Sequence, residues 1–293
     1  MGLRTNISER QRRLGIELKQ LREQASLTTS EAAERIGMTR GQLGHIEAGR
    51  TSVLTERLLD LSRVYGCSEE PYIKTLVAMS ESSGKGWWSA FRKHMGPHSL
   101  NLAELESEAV AIRTHELLFI PGLFQTADYT RSIFTNPDLG FANVEEGLAF
   151  RMARQDILTR DNPPSVHAVI HEAALHMRFG GTEVAREQLL HLIELARLPN
   201  VTVQIHPFSA RADAALTGNF AHIVPADPRL GTVVVEHLLG SHYLVQQHQL
   251  EEHNALFARI AENALAPVDV SLAPETHSVK DSLALIQHVL YTL

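Results

Sequence analysis

Cys67 is the only cysteine in 293 residues. No disulfide can therefore form within one chain, and no cysteine-based zinc site can be built within it. The residue itself reads as a small packing residue at a helix end. No stretch approaches the roughly 18 uninterrupted apolar residues of a membrane span, so no membrane partner is expected. The first residues, MGLRTNISERQRRLG, carry charge but no apolar core of a secretory signal, and a cytoplasmic location is the expectation. There is no Gly-x-Ser-x-Gly and no phosphate-binding loop. Sixteen histidines suggest metal, but their spacing argues against it. His171 and His176 are five apart, whereas the metalloprotease pair needs i, i+4 on one helical face. His167 and His171 share a strand face without an apparent third ligand. Neither catalysis nor a cofactor is expected.

Charge of one sign is also scarce where it would matter most. Residues 1–66 hold 11 Lys+Arg against 8 Asp+Glu, and the remaining 227 hold 16 against 26. The balance is +3 in front and −10 behind. Favourable contact with phosphates is confined to the front. A module this mildly basic needs two copies on one site for useful affinity, so a homodimer is expected.

The length suits one small domain and one of ordinary size. Residues 1–10 read as a polar arm. From Arg13 to Gly66 short helices follow closely. Leu14, Leu18 and Leu21 mark the first. Thr28 and Glu31 have capping-box spacing at the start of the second, which buries Ala32, Ala33 and Ile36 and stops at Gly37. Thr39 and Gln42 open the third, which turns Leu43 and Ile46 inward and ends at Gly49. Leu54, Leu58, Leu61 and Val64 mark a fourth. A further helix is expected near 69–80, before a turn-rich stretch, Ser80 to Gly86. The expected domains are 1–75, a linker 76–86, and 87–293. Trp87 and Trp88, expected as core or interdomain packing, open a different composition. Strands are expected at Ala109–Thr114, Val166–His171, Val201–His206, Phe220–Val224 and Thr232–His237. Helical patterns at 126–136, 143–159, 183–197 and 243–265 separate or follow them. The predicted fold class is an all-helical bundle followed by a mixed α/β domain.

The span LTTSEAAERIGMTRGQLGHIEAG, residues 27–49, carries Ala33, Gly37, Met38, Thr39, Ile46 and an Ile-Glu-x-Gly ending. It resembles the helix-turn-helix of phage-repressor-like, xenobiotic-response-element regulators. Gly37 permits the positive φ of the tight turn, and Ala33 lets the two helices approach. In such a reader the third helix enters the major groove of a double-stranded operator. Arg40, Gly41, Gln42 and His45 are its candidate reading positions, with the capping Thr39 at its start. Arg40 can fork onto guanine or hold a phosphate, and Gln42 can pair with adenine or serve as the partner of the Thr39 cap. Thr28, Thr29 and Ser30 are candidate phosphate contacts, as is Arg50. The family more often carries Gln where this chain has Thr29, and a side chain where it has Gly44. The resemblance makes Arg22 and Glu47 an internal pair.

The second domain carries IPGLFQTADYTRSIF (120–134), RMARQDILTR (151–160), HEAALHMRFGG (171–181), NVTVQIHPF (200–208) and VEHLLGSHYL (235–244). These motifs resemble the C-terminal domain of actinobacterial antitoxin-like regulators of the Scr1 type. That resemblance implies a small companion protein encoded nearby. Glu106, Gln125, Tyr129, Arg151, Arg154, Gln155 and Glu172 are candidates for a polar pocket or partner groove, or else for an internal lattice of ion pairs and hydrogen bonds. The expected function is a sequence-specific DNA-binding regulator whose second domain receives the companion protein. Two alternatives stay open: a small-molecule input to the same domain, or an antitoxin that chiefly neutralises a toxin.

Overall fold

The computed structural model describes residues 6–136, 143–210, 218–237, 240–271 and 280–293. They fall into two compact units. One takes residues 1–86 together with Ala226–Leu230, and the other takes the rest.

The first unit is helical: α1 Glu9–Gln24, α2 Thr29–Arg35, α3 Arg40–Glu47, α4 Thr55–Val64 and α5 Glu70–Glu81. Three capping boxes start α1, α2 and α3, at Ser8, Thr28 and Thr39. Each satisfies two backbone donors that a helix start leaves open. α2, α3 and α4 stop on glycines in the left-handed region, with φ of +65° at Gly37, +70° at Gly49 and +71° at Gly66. Where the paired stop at α1 would take glycine, the chain has Ser26, at φ 56°. Leu18, Leu43, Leu58, Leu61 and Leu76 are fully buried together. The expected arm is shorter than ten residues, because Glu9 and Arg10 already belong to α1 and Arg10 is buried, donating to the Met79 carbonyl. The expected linker likewise starts later than residue 76, since Leu76 is core and α5 runs to Glu81.

Ala226–Leu230 completes this unit. Leu230 joins its core, and Arg229 lies over the Tyr72 ring at 4.6 Å. Arg229 also pairs with Asp227 at 2.8 Å and Glu69 at 2.5 Å. Its carbonyl accepts from Arg13, whose own ion pair with Glu17 is buried.

The second unit contains α6 Pro97–Ser107, β1 Ala111–Glu116, α7 Ala127–Phe134, α8 Val144–Gln155, β2 Ser165–His171, α9 Glu172–His176, α10 Thr182–Leu195, β3 Val201–His206, β4 Phe220–Val224, β5 Thr232–His237, β6 Gly240–Leu244, α11 Gln247–Asn263 and α12 Ser282–Thr292. The sheet order is β3-β2-β1-β4-β5-β6. β1, β2 and β3 are parallel, with helices in the crossovers, while β4, β5 and β6 form an antiparallel meander. The mixed α/β architecture is the one expected from the sequence. β6 occupies the start of the span read as helix, and α11 begins only at Gln247. Both faces of the sheet are covered. Ile112, Val166, Ala168, Ile170 and Val203 pack under α7, α10 and α12, and Val169, Phe220 and Val233 pack against α11. This explains why Gln204 and His206, the alternate positions of VTVQIH, are buried too. Gln204 donates to the Ala261 and Leu265 carbonyls at 3.2 and 2.9 Å. Among the described residues, no helix is long and apolar enough to cross a membrane.

Candidate functional site

In the helical unit the α2–turn–α3 pair is held from behind. Arg22 of α1 forms a two-point ion pair with Glu47 at the end of α3, at 2.6 and 3.1 Å, and donates to the Leu27 carbonyl at 2.7 Å. Both partners are buried. A Cβ added at Gly15 of α1 would overlap the Glu47 backbone carbonyl, so the absence of a side chain sets how closely α1 and α3 approach. Gly15 was not legible as special in the sequence; it sits inside a helical pattern and its role depends on α3.

Arg40, at the first position of α3, is exposed and has no ion-pair partner among the described residues. Arg50 is exposed just past the helix, and its backbone N–H closes the stop on the His45 carbonyl at 2.8 Å. Gly41 is exposed and His45 half-buried. Thr28 and Ser30 are exposed and Thr29 half-buried. The Thr28 side chain caps α2 with Glu31, at 3.2 Å to the Glu31 N–H. Gln42 is likewise engaged: its Oε1 accepts from the Thr39 N–H at 2.9 Å, while the Thr39 hydroxyl accepts from the Gln42 N–H at 3.2 Å. A bidentate pair with adenine would need that same Oε1. Space, by contrast, is open at Gly44, where an added Cβ meets nothing within 4 Å. Gly44→Ala should therefore stabilise the helical unit by about 1 kcal/mol. A raised melting temperature with weakened DNA binding would show that this glycine serves close approach to a duplex.

In the second unit the candidate residues separate into three roles. The first group builds a turn. Gln125 donates to the Ile120 carbonyl at 2.7 Å, and Gln155 donates to the carbonyls of Gly122 and Gln125 at 3.0 and 2.8 Å. The buried Tyr129 hydroxyl accepts from the Ile120 N–H at 3.3 Å, and burial pushes its pKa up to about 12. Thr126 caps α7. Gln188 of α10, absent from the candidate set, ties this turn at both the Phe124 carbonyl and the Thr126 N–H. Glu172 is in a second place: it accepts from the Phe208 N–H at 2.7 Å and lies 3.8 Å from His176. It does not join the others.

The third group lines a cavity of about 470 Å³. Its floor is the sheet, with Ile112, Thr114 and Glu116 of β1, Ala221 of β4, and Val234 and Glu236 of β5. Its walls come from α6, the Pro121–Gln125 turn, α7 and α8. The register explains the space. Thr114 stands between Ala168 and Ala221, so three small side chains lie side by side where the helices cross the sheet. Arg154 forms a two-point pair with the buried Glu106, at 2.5 and 2.7 Å. Arg151 is held differently. Its guanidinium lies 5.2 Å from the Phe134 ring centroid and donates to Gln125 Oε1 at 3.2 Å. A Cβ at Gly122 would overlap it, so the turn glycine makes its berth.

Glu116 and Glu236, which complete the cavity's charged set, were missed: Glu116 lies in none of the quoted motifs, and Glu236, inside VEHLLGSHYL, was not singled out. Their one signal is alternation: Ile112, Thr114 and Glu116 share a face, and a carboxylate at the end of an inward row is unusual. Desolvation, reinforced by Glu236, pushes the Glu116 carboxyl up to about 8, against the opposing pull of Arg151, Arg154 and the Thr114 hydroxyl. A carboxyl raised in the folded state contributes stability below its unfolded pKa and loses it as pH rises through the folded one. Glu116→Gln should therefore gain melting temperature over wild type progressively between pH about 4.5 and about 8, and then level off. A constant difference across thermal melts in that range would refute the assignment.

The helical unit is a helix-turn-helix domain of the DNA-binding type: the family model for a helix-turn-helix domain matches residues 13–71. The chain as a whole belongs to the family defined by the domain of unknown function DUF5753, whose model matches residues 100–271, more than half of it. No curated protein and no solved structure matches the chain.

Proposed function

We propose that this protein is a sequence-specific, dimeric transcription regulator whose second domain takes a regulatory input and shifts its affinity for a double-stranded operator. The exposed Arg40 on a helix capped and locked by Thr39, Gly49 and the Arg22–Glu47 pair carries the DNA part. Rigid presentation of one guanidinium suits bidentate contact to guanine. Arg50 and the hydroxyls of Thr29 and Ser30 serve as phosphate contacts, while the Thr28 hydroxyl donates to the Glu31 carboxylate at 2.7 Å and is taken up by the cap. Among the inputs, the cavity favours a small molecule: its volume lies within the range of small-ligand sites, and its walls are mostly apolar with a few polar groups. The motif resemblance to Scr1-type antitoxin-like regulators of actinobacteria supports a small companion protein as a second input. The protein works without catalysis or cofactor, in the cytoplasm.

The test is selection of bound sequences from random duplexes, then measurement on the selected operator. Arg40→Ala should cost about 1–3 kcal/mol of binding and relax one base position. Gln42→Glu preserves the cap but replaces the amide with an anion. If Gln42 only caps, the variant keeps its melting temperature and its base preference. If it reads adenine, the preference at one position is lost. Unchanged binding by Arg40→Ala would remove the reading face assigned here.

A further inference from the structure

The geometry points to the cavity as a binding site for a small organic acid, one carboxylate on a compact apolar or aromatic body, with Arg151 as the residue that recognises the anion. This inference rests on the small-molecule input proposed above and names its chemistry.

The charged groups around the cavity are not equivalent. Arg154 is neutralised by its two-point pair with Glu106 and has a structural role. Glu236 faces His98, at 3.7 Å. Arg151 has five N–H donors, and among the described residues it makes one hydrogen bond, to a neutral amide. Among the described residues no carboxylate lies within ion-pair distance of it. The carboxyl groups of Glu236, Glu106 and Glu116 offset its desolvation only in part and from beyond direct contact, and an incoming carboxylate matches its planar fork. Burial and the neighbouring Arg154 lower the Arg151 pKa to about 10, which leaves it charged at neutral pH. Glu116 lines the same cavity and is protonated at neutral pH, so it offers a donor to an incoming anion where an ionised carboxylate would repel it. Phe119, Phe124, Ile133 and Val234, with Phe134 beside the guanidinium, supply an apolar lining for the body of the ligand. Arg151 also lines a second cavity of about 340 Å³, shared with Arg154, Phe134 and Glu236, so an anion bound there stands at the junction of two spaces.

Three probes with one body separate the possibilities: phenylbutyrate, phenylbutanol and phenylbutylamine, titrated calorimetrically into the full-length protein. The acid should bind saturably and at least about tenfold more tightly than the alcohol, a difference of about 1.4 kcal/mol. Arg151→Gln should abolish that preference, and Arg151→Lys should restore part of it. Gly122→Ala, which displaces the guanidinium without removing it, should weaken the acid alone. Equal binding of all three probes, tighter binding of the amine, or no saturation by the acid at millimolar concentration would each overturn the assignment. So would an acid preference that survives Arg151→Gln in a protein with wild-type circular dichroism. Operator binding with and without the acid separates the two claims. Acid binding that leaves DNA affinity unchanged keeps the site and rejects the regulatory role.

Discussion

Gly15→Ala is expected to lower the stability of the helical unit by on the order of 3 kcal/mol, the upper range for forcing extra atoms into a packed interface. One added methyl group would overlap the Glu47 carbonyl carbon and oxygen and crowd the Ile46 carbonyl. These are backbone atoms, so no rotamer change can relieve the contact. α1 or α3 must move, and the Arg22–Glu47 pair that spans them moves with it. Operator binding should fall together with stability, although residue 15 touches no DNA in the proposed arrangement. The contrast with Gly44 is informative. Both are helical glycines, yet the same substitution should stabilise at 44, where space is open, and destabilise at 15. Urea denaturation followed by far-ultraviolet circular dichroism measures both signs. Wild-type stability in Gly15→Ala would mean that the two helices do not approach as described.

Arg154→Ala should cost the second unit about 3–5 kcal/mol, because it leaves the Glu106 carboxylate buried without its partner. Glu106→Ala should cost a similar amount for the converse reason. The double replacement Arg154→Met with Glu106→Leu should recover most of the loss, since apolar side chains of similar size remove both desolvation penalties. Trp87 and Trp88, the only tryptophans, both belong to this unit, so their fluorescence follows its unfolding separately from the helical one. Trp88 packs with Phe150, one residue before Arg151, and Trp87 lies 5.1 Å from the Phe150 ring. Single variants as stable as wild type would show that Arg154 and Glu106 are solvated, which would also weaken the case for Arg151 as the unsatisfied cation of the cavity.

The second unit shows how a motif can be legible while its meaning is not. Gln125, Tyr129 and Gln155 stand in conspicuous runs, and each proves to hold the Pro121–Gln125 turn or its approach through backbone groups, Gln125 and Tyr129 from nearby in the chain and Gln155 from the neighbouring helix. Their local spacing was readable because the bonds are local or bridge two neighbouring elements. Glu172, equally conspicuous, belongs elsewhere because the β2–α9 junction aims it at the Phe208 backbone. Glu116 and Glu236 come from strands separated by more than a hundred residues and meet only through the sheet order. Nothing in either neighbourhood of the chain announces the other.

The sequence by itself determined the helix-turn-helix. Its caps, stops and turn glycine act within three to five residues, and those short-range hydrogen bonds follow from residue type and spacing alone. It also determined that a mixed sheet follows, through the alternation and helical periods of the larger domain. Only the tertiary structure decided that Gly15 is a contact point, that Ala226–Leu230 completes the helical unit, and that a cavity opens over Thr114 and Ala221. Each depends on which distant backbone lies alongside, and strand register and helix approach are set by the packing of the whole unit.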